Sequence, residues 1–417
     1  MAYSTTNTYK MKREILNFTR IISKGLHRPE QKFYADMNYG MLASDSCLLS
    51  EIAQQLREDT KKINIVDRLS KHLAKGTPKA AVINYLREIR KWLPQEKVIF
   101  IDDSDVIKPE GYCFEALGWV RDGSASTKDK TVYEKGYHVT EACALTASKH
   151  PVSIFSEIHS SAEKNFTSSN DITFAAIDRG ITLCKKATFV MDRGYDDNKI
   201  FQKLFDAEQD FVIRLTQKRK FYYHNKWIFA TELCNRRKGK VKMTLRYKGV
   251  DHEAWLSHVK VQLTASKRET WLVLVYGISE NPMMLVTNRP IRSKNDLTKV
   301  ARLYFSRWKI EEYLRAKKQI FDFENFRVRS LIAINALNFC ITVCMALLIR
   351  MTMKRKTNLL FASIIEAAKP IKQKVNFLCY RLAFGIVELL SCAKQGIKDW
   401  FKPLCPNPFQ MKLRLPV

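Results

Sequence analysis

Two short apolar runs, each ended by an aspartate, constrain the fold of this chain more than any other feature: "KVIFIDDSDV" (97–106) and "ATFVMDRGY" (187–195). Four or five consecutive apolar residues, several of them β-branched and bounded by turn residues, read as buried strands. A carboxylate placed at the end of such a strand is costly to bury unless it has a cation to hold. Neighbouring strands would bring Asp102 and Asp192 to one edge of a sheet. For either aspartate taken alone, duty in a turn or a helix cap is the plain alternative.

The periodicity on either side of these runs divides the chain. From residue 8 to about 92, apolar residues recur every three to four positions, which predicts an all-helical N-terminal domain over 1–92. Within it, "SDSCLLSEIAQQL" followed by "NIVDRLSKHL" fits a helix-turn-helix whose second helix would offer Arg68, Lys71 and His72 to a DNA groove, and it fits a packed bundle equally well. After Pro94 the period becomes that of strands. The segments 97–106, 112–120, 135–145 and 150–160 predict a mostly antiparallel meander, followed by helix 171–184, strand 187–195, helix 196–207 and strand 210–216. Strands followed by a βαβ unit describe a mixed α/β sheet, the first part of a core over 93–216. Residues 217–282 read as a β-rich insertion, residues 283–350 as the second part of the core, and 351–417 as a C-terminal helical region with a proline-broken, extended tail.

Charge narrows the partner. The chain carries 71 Lys+Arg against 42 Asp+Glu, a formal net charge of +29, so a polyanion is expected. Basic segments such as "QKRK" (217–220) and "NRRKGKVKMTLRYK" (235–248) are spread along the chain and interleaved with aromatics, which suits a track of phosphates better than a membrane surface. The run "LIAINALNFCITVCMALLI" (331–349) is nearly long enough to span a bilayer. It contains Asn335 and Asn338 and has basic residues on both flanks, so a buried core helix is expected. The 10 cysteines form no CxxC pair and have no histidine at zinc-site spacing, and they read as reduced cytosolic thiols. The first residues lack the apolar centre of an export signal.

The segment 293–321 is predicted to be one long helix, capped by Ser293 or Asn295. At about 100° per residue, Tyr304, Arg307, Glu311 and Lys318 fall within about 60° of one another on it. One face of that helix would thus carry a carboxylate among cations and a hydroxyl. Glu311 is then the natural third member of a set with Asp102 and Asp192. Three carboxylates without nearby histidine or cysteine favour Mg²⁺, or Mn²⁺, over zinc. Two such ions can activate a water or 3′-hydroxyl and stabilise the leaving oxygen of an in-line phosphodiester displacement.

These residues carry a resemblance to a family. The spacing Tyr304-x2-Arg307-x3-Glu311-x6-Lys318 resembles the Tyr-Arg-Glu-Lys signature of cut-and-paste DDE transposases of bacterial insertion sequences, and "DDSD" and "DRGY" look like that family's aspartate motifs. The resemblance spans about residues 10–350. It implies an RNase H-like mixed-sheet core in which Asp102, Asp192 and Glu311 bind two metal ions. Tyr304, Arg307 and Lys318 would hold the phosphates of the element's end, with Arg214 as a further DNA contact. It also implies double-stranded DNA as partner, a homodimer on paired ends, no membrane, and a cytoplasmic, nucleoid-associated bacterial protein. Asp103 competes with Asp102, and Glu312 with Glu311; the family's Asp-x-Ser/Thr pattern and the tyrosine-to-glutamate spacing favour the first of each pair. Where hairpin-forming relatives carry a base-stacking tryptophan, this chain has Met283, with Trp255 or Trp271 as possible substitutes or as core of the insertion. An inactive DNA-binding descendant and a nuclease without end specificity are the competing functions.

Overall fold

The computed structural model describes residues 2–123, 125–127, 130–247, 249–355, 359–368 and 377–401. The extended tail expected at the C-terminus lies outside these residues. Five helices come first: α1 (Ala2–Ile22), α2 (Arg28–Ser44), α3 (Leu49–Leu56), α4 (Lys62–Leu73) and α5 (Lys79–Arg90). Local chemistry sets their limits. Pro29 lies in the first turn of α2 and Glu30 reaches back to the backbone N–H of His27, while Asp45 closes the helix in the left-handed region at φ 55°.

The sequence pattern does not show how these helices are used. Every residue of α2 from Phe33 to Ala43 is buried, because the helix is enclosed by α1, α3, α4 and two later helices, α11 (Leu331–Met353) and α13 (Cys379–Ser391). The N-terminal helices therefore share one core with the C-terminal half of the chain. The short α12 (Leu359–Ala367) packs on α13, where a Cβ at Gly385 would meet the Ile364 carbonyl oxygen at 2.0 Å.

Twelve strands among the described residues join in one mixed sheet. β1 (Val98–Ile107) pairs in parallel with β5 (Thr188–Met191), and β5 with β6 (Asp210–Arg214). On its other side β1 pairs antiparallel with β3 (Tyr133–Leu145), whose far edge carries β4 (Pro151–His159) and, beyond the end of β4, the short β2 (Gly118–Arg121). The four segments expected as a simple meander are thus rearranged around β3, and the strand expected over 112–120 shrinks to four residues. The helix α6 (Ser169–Cys184) covers one face of this region and α7 (Asn198–Asp206), capped by Asp197, links β5 to β6.

The expected insertion is β-rich: β7 (Lys220–Tyr223), β8 (Lys226–Phe229), a short α8 (Ala230–Asn235), β9 (Val241–Tyr247), β10 (Val250–Leu263) and β11 (Arg268–Tyr276). It is not a separate sheet. β11 pairs with β12 (Met283–Thr287), and β12 with β6, so hydrogen bonding runs unbroken from core to insertion.

The expected single helix over 293–321 is two helices, α9 (Lys294–Phe305) and α10 (Trp308–Ile320). Ser293 caps α9 in a capping box with Asp296. Between the helices, Arg307 N–H donates to Tyr304 O, Lys309 to Ser306 O and Ile310 to Arg307 O, a run of i→i+3 bonds that tightens the turn.

The apolar run after residue 330 forms α11. It is long and apolar enough to cross a membrane, yet most of it is buried within the molecule. Its asparagines have specific partners there. Asn335 accepts from the N–H of Ile158 and donates to the same residue's carbonyl, both at 2.9 Å, and so occupies the outward backbone groups of β4. Asn338 donates to Ser156 Oγ at 2.9 Å.

Candidate active site

Strand alternation decides between the two neighbouring aspartates of β1. Successive side chains point to opposite faces of the sheet. Asp103 accepts a hydrogen bond from Thr140 Oγ1 at 2.7 Å on one face, whereas Asp102 emerges on the face that α10 covers and meets Arg307. Asp192 follows β5 directly, since the strand stops at Met191 and the chain turns into a single 3₁₀ turn over Arg193–Tyr195. Parallel pairing of β1 with β5, with Ile101 opposite Met191, sets Asp102, midway along β1, level with Asp192, the first residue past the end of β5.

The third carboxylate arrives from α10. Arg307 Nη1 lies 2.8 Å from Asp102 Oδ2; its Nη2 donates to Glu311 Oε1 and stands 3.9 Å from Asp192 Oδ2. One guanidinium, its side chain only 11 % exposed, thus bridges all three acids. Tyr304, at the end of α9, donates to Asp192 Oδ1 at 2.9 Å, and Arg214 of β6 approaches the same oxygen at 3.7 Å. Tyr304, Arg307 and Glu311 thus meet the two aspartates from one side, across the junction of α9 and α10.

The protonation equilibria follow from these neighbours. Burial, reinforced by Glu311, Asp103 and Asp192, pushes the Asp102 carboxyl up to about 7 against the opposing charge of Arg307. Asp192 is half-buried, and Arg307, the Arg193 backbone N–H, Tyr304 and Arg214 together outweigh that burial and hold it below the usual carboxylate range. Arg307 is held above its ordinary value because the three carboxylates outweigh the cost of its burial. The cluster therefore has an excess of negative charge that one cation only partly neutralises.

The donors suit a hard divalent ion in kind: three carboxylates from three separate segments, already directed at one positive group. With Arg307 among them, no three His, Cys, Asp or Glu side chains of the described residues close on a single ion-sized point. Asp102, Asp192 and Glu311 are the residues that would hold such an ion, with the guanidinium displaced.

The other sequence-derived candidates are placed differently. Lys318 does not reach the carboxylates; it donates to the Asp105 carbonyl oxygen at 2.5 Å and pairs with Glu324 at 2.9 Å. Glu312 pairs with Arg315, away from Arg307. Arg68 is bound to Asp36 and Glu58, both at 2.8 Å, in a network that also holds Lys32, and His72 stacks on Phe33. Of the proposed groove-reading side chains, Lys71 is well exposed, paired with Asp67. Met283 is buried at the start of β12 and, with Pro282 and Met284, lines a cleft of about 1220 Å³ that opens beside Asp192 and is edged by Arg193, Arg214 and Lys218. Trp255 is 38 % exposed, with Gly239 and Gly277 pressed against it.

The sequence reading missed a buried ion pair under α10. Lys317 Nζ lies 2.9 Å from Glu141 Oε2, with the two side chains 1 % and 0 % exposed. Glu141 stands opposite Asp102 in the β1–β3 register. A glutamate within the apolar stretch "TEACAL" was the signal that could have found it.

Residues 94–349 match the protein family described as a transposase DDE domain. No curated protein matches the chain.

Proposed function

The chain belongs to the transposase DDE domain family, and from that premise we propose that it binds the terminal repeats of an insertion sequence, cleaves at the element's ends and joins the resulting 3′-hydroxyls to target DNA. The observation that carries this reading is the convergence of Asp102, Asp192 and Glu311, from three separate segments, on one guanidinium. Folding alone has no need to gather three acids beside a basic cleft. The mixed sheet, with β1 parallel to β5 and flanked by antiparallel β3, supports an RNase H-like core. Divalent ions held by the three carboxylates would supply a Lewis acid and a nucleophile active at neutral pH.

The chain's own residues have distinct tasks on this reading. Tyr304 and Arg214 orient Asp192 through the oxygen they share. Arg307, released from the acids, is placed to hold the scissile phosphate and disperse its charge. Arg193 and Lys218, with Arg214, give the cleft beside Asp192 a positive rim that suits the strand leaving the cut. Lys318, anchored to β1 by its bond to Asp105, suits a phosphate contact farther along the DNA. Two ends must be held at once, so the active species is a dimer.

The test is a labelled duplex bearing the element's terminal repeat, incubated with Mg²⁺ or with EDTA and resolved on a denaturing gel. The protein should nick at the repeat boundary only with metal, and Glu311→Gln should bind the same duplex with unchanged affinity while cleavage falls by at least about a hundredfold. Tight binding without cleavage in Mg²⁺ or Mn²⁺ would overturn the reading in favour of an inactive DNA-binding descendant. Comparable cutting of unrelated duplex would favour a nuclease.

A further inference from the structure

We infer that the outer face of the β2–β3 ribbon is a second DNA-contacting surface, one that stacks the unpaired bases of a strand running out from the carboxylate centre. The inference rests on the reading of the chain as a DNA-cleaving enzyme and extends it to a site away from the acids.

β2 alternates buried and exposed residues, so Gly118 and Val120 face inward while Trp119 and Arg121 face outward. In the register with β3, Trp119 stands opposite Lys135 and Arg121 opposite Tyr133. The outer face is therefore a square of two aromatics on one diagonal and two cations on the other, with Lys135 Nζ 4.5 Å from the centre of the Trp119 ring. Trp119 is 59 % exposed and Tyr133 61 %. Leaving an indole and a phenol this exposed at the end of the sheet contributes little burial to folding. The acidic neighbour, Glu134, belongs to the opposite face by alternation and accepts a hydrogen bond from the N–H of Lys135.

The position relates this face to the site. β1 continues from Asp102 to Ile107, and the next residue, Lys108, donates its N–H to the Lys135 carbonyl oxygen, a run of roughly 20 Å at about 3.3 Å per residue. Lys135 shares its parity on β3 with Glu141, which meets Lys317 of α10. The ribbon's outer face is thus the α10 face of the sheet, continued past the end of that helix. The chain leaving α10 is fastened there: Lys108 Nζ donates to the carbonyl oxygens of Glu324 and, at 2.9 Å, Phe326. The Arg329 carbonyl accepts from Glu115 N–H at 3.0 Å, which puts the exposed Arg327 and Arg329 alongside the loop that enters β2.

Aromatic faces interleaved with Arg and Lys are the chemistry of single-strand binding, in which bases stack on the rings and phosphates pair with the cations. Duplex DNA keeps its bases stacked on one another and would use only the cations. Arg121 and Lys135 give the face the charge that attracts phosphates.

The test compares a blunt terminal-repeat duplex, the same duplex with an eight-nucleotide unpaired flank, and a free oligo-dT of about twelve nucleotides. Their affinities are measured by fluorescence anisotropy in EDTA for the wild type, Trp119→Ala/Tyr133→Ala and Arg121→Gln/Lys135→Gln. The aromatic double variant should bind the flanked duplex and oligo-dT about tenfold or more weakly and the blunt duplex as the wild type does. The cation variant should weaken binding of all three and flatten the salt dependence. Equal affinity of wild type and aromatic variant for oligo-dT and the flanked duplex would overturn the inference. So would a lowered melting temperature with unchanged DNA affinity, which would make the ribbon's pairs structural. Binding of oligo-dT requires no cleavage and no repeat. A protein that fails to cut repeat DNA but loses oligo-dT with Trp119 and Tyr133 would cost the proposed function and leave the ribbon standing.

Discussion

Asp45 shows how much one side chain depends on where its helix ends. It closes α2 in the left-handed conformation, at the negative end of the helix dipole, where burial pushes its carboxyl up to about 7. An acid whose pKa is raised on folding binds its proton more tightly in the native state, so stability falls as pH rises from the unfolded value near 4 through about 7 and is then flat. Asparagine tolerates the same backbone conformation and carries no charge. Asp45→Asn should therefore match the wild type near pH 4 and be more stable by on the order of 1–3 kcal/mol at pH 8, as measured by denaturant titration across that range. A difference independent of pH would refute the assignment. The same scale separates the candidate acids: Asp102 from Asp103 by strand alternation, and Glu311 from Glu312 by one helical step of about 100°. In the sequence both choices rested on the family resemblance, since alternation and helical period separate neighbours without saying which of them faces the cluster. That Arg307 would bridge all three acids was not legible there, because the spacing of residues along a chain does not reveal which cation a folded cluster will enclose.

At the scale of elements, α10 is held to the sheet by the ion pair of Lys317 and Glu141. Ser153 and Ser156 donate to the two Glu141 oxygens, and Lys317 Nζ also donates to Ser156 Oγ at 2.9 Å. The helix that carries Glu311 is thus fixed to the strand facing Asp102. Removing one partner leaves the other charged and buried, which costs more than removing both. Lys317→Met should lose about 3–5 kcal/mol in chemical denaturation, and Lys317→Met/Glu141→Leu should recover most of it. A double variant as unstable as the single one would show that packing, not charge, secures the helix. The break between α9 and α10 belongs to this scale too. No proline or glycine marks it in "YFSRWKIEEYL", so periodicity alone predicted one helix. The two helices pack differently, α9 on β6 and the insertion and α10 on β1 and β3, so the tight turn falls where one set of contacts gives way to the other.

For the whole molecule, the excess of 71 cationic over 42 anionic side chains predicts an electrostatic contribution to DNA binding that strengthens as salt is lowered. If the basic rim of the cleft, the ribbon and the insertion together cover six to ten phosphates, affinity for duplex DNA should fall by about 10³–10⁵ between 50 and 200 mM salt. A slope near zero in a salt titration would show that the cations are spent on internal pairs, as Arg68 and Lys32 are. The N-terminal helices illustrate how global packing overrides a local reading. Their apolar spacing is that of a free-standing bundle, but α2 is enclosed by α11 and α13 as well as by its neighbours in sequence. Arg68 is accordingly drawn into an internal network.

By itself, the sequence determined the features that period and residue chemistry dictate. Buried strands that carry Asp102 within β1 and Asp192 just past β5, a helix presenting Glu311, the capping of that region by Ser293, and a long apolar helix after residue 330 all follow from patterns within a few residues of one another, although Asp102 stands midway along its strand and not at its end. The tertiary structure alone decided how distant segments meet: β3 rather than β2 beside β1, the insertion hydrogen-bonded into the core sheet, Lys318 turned to Asp105, and Arg307 clasped by three acids. Such contacts join residues as much as 213 positions apart. Which of the possible partners a side chain meets there depends on loop closure, strand register and burial summed over the whole chain, and no local pattern encodes that sum.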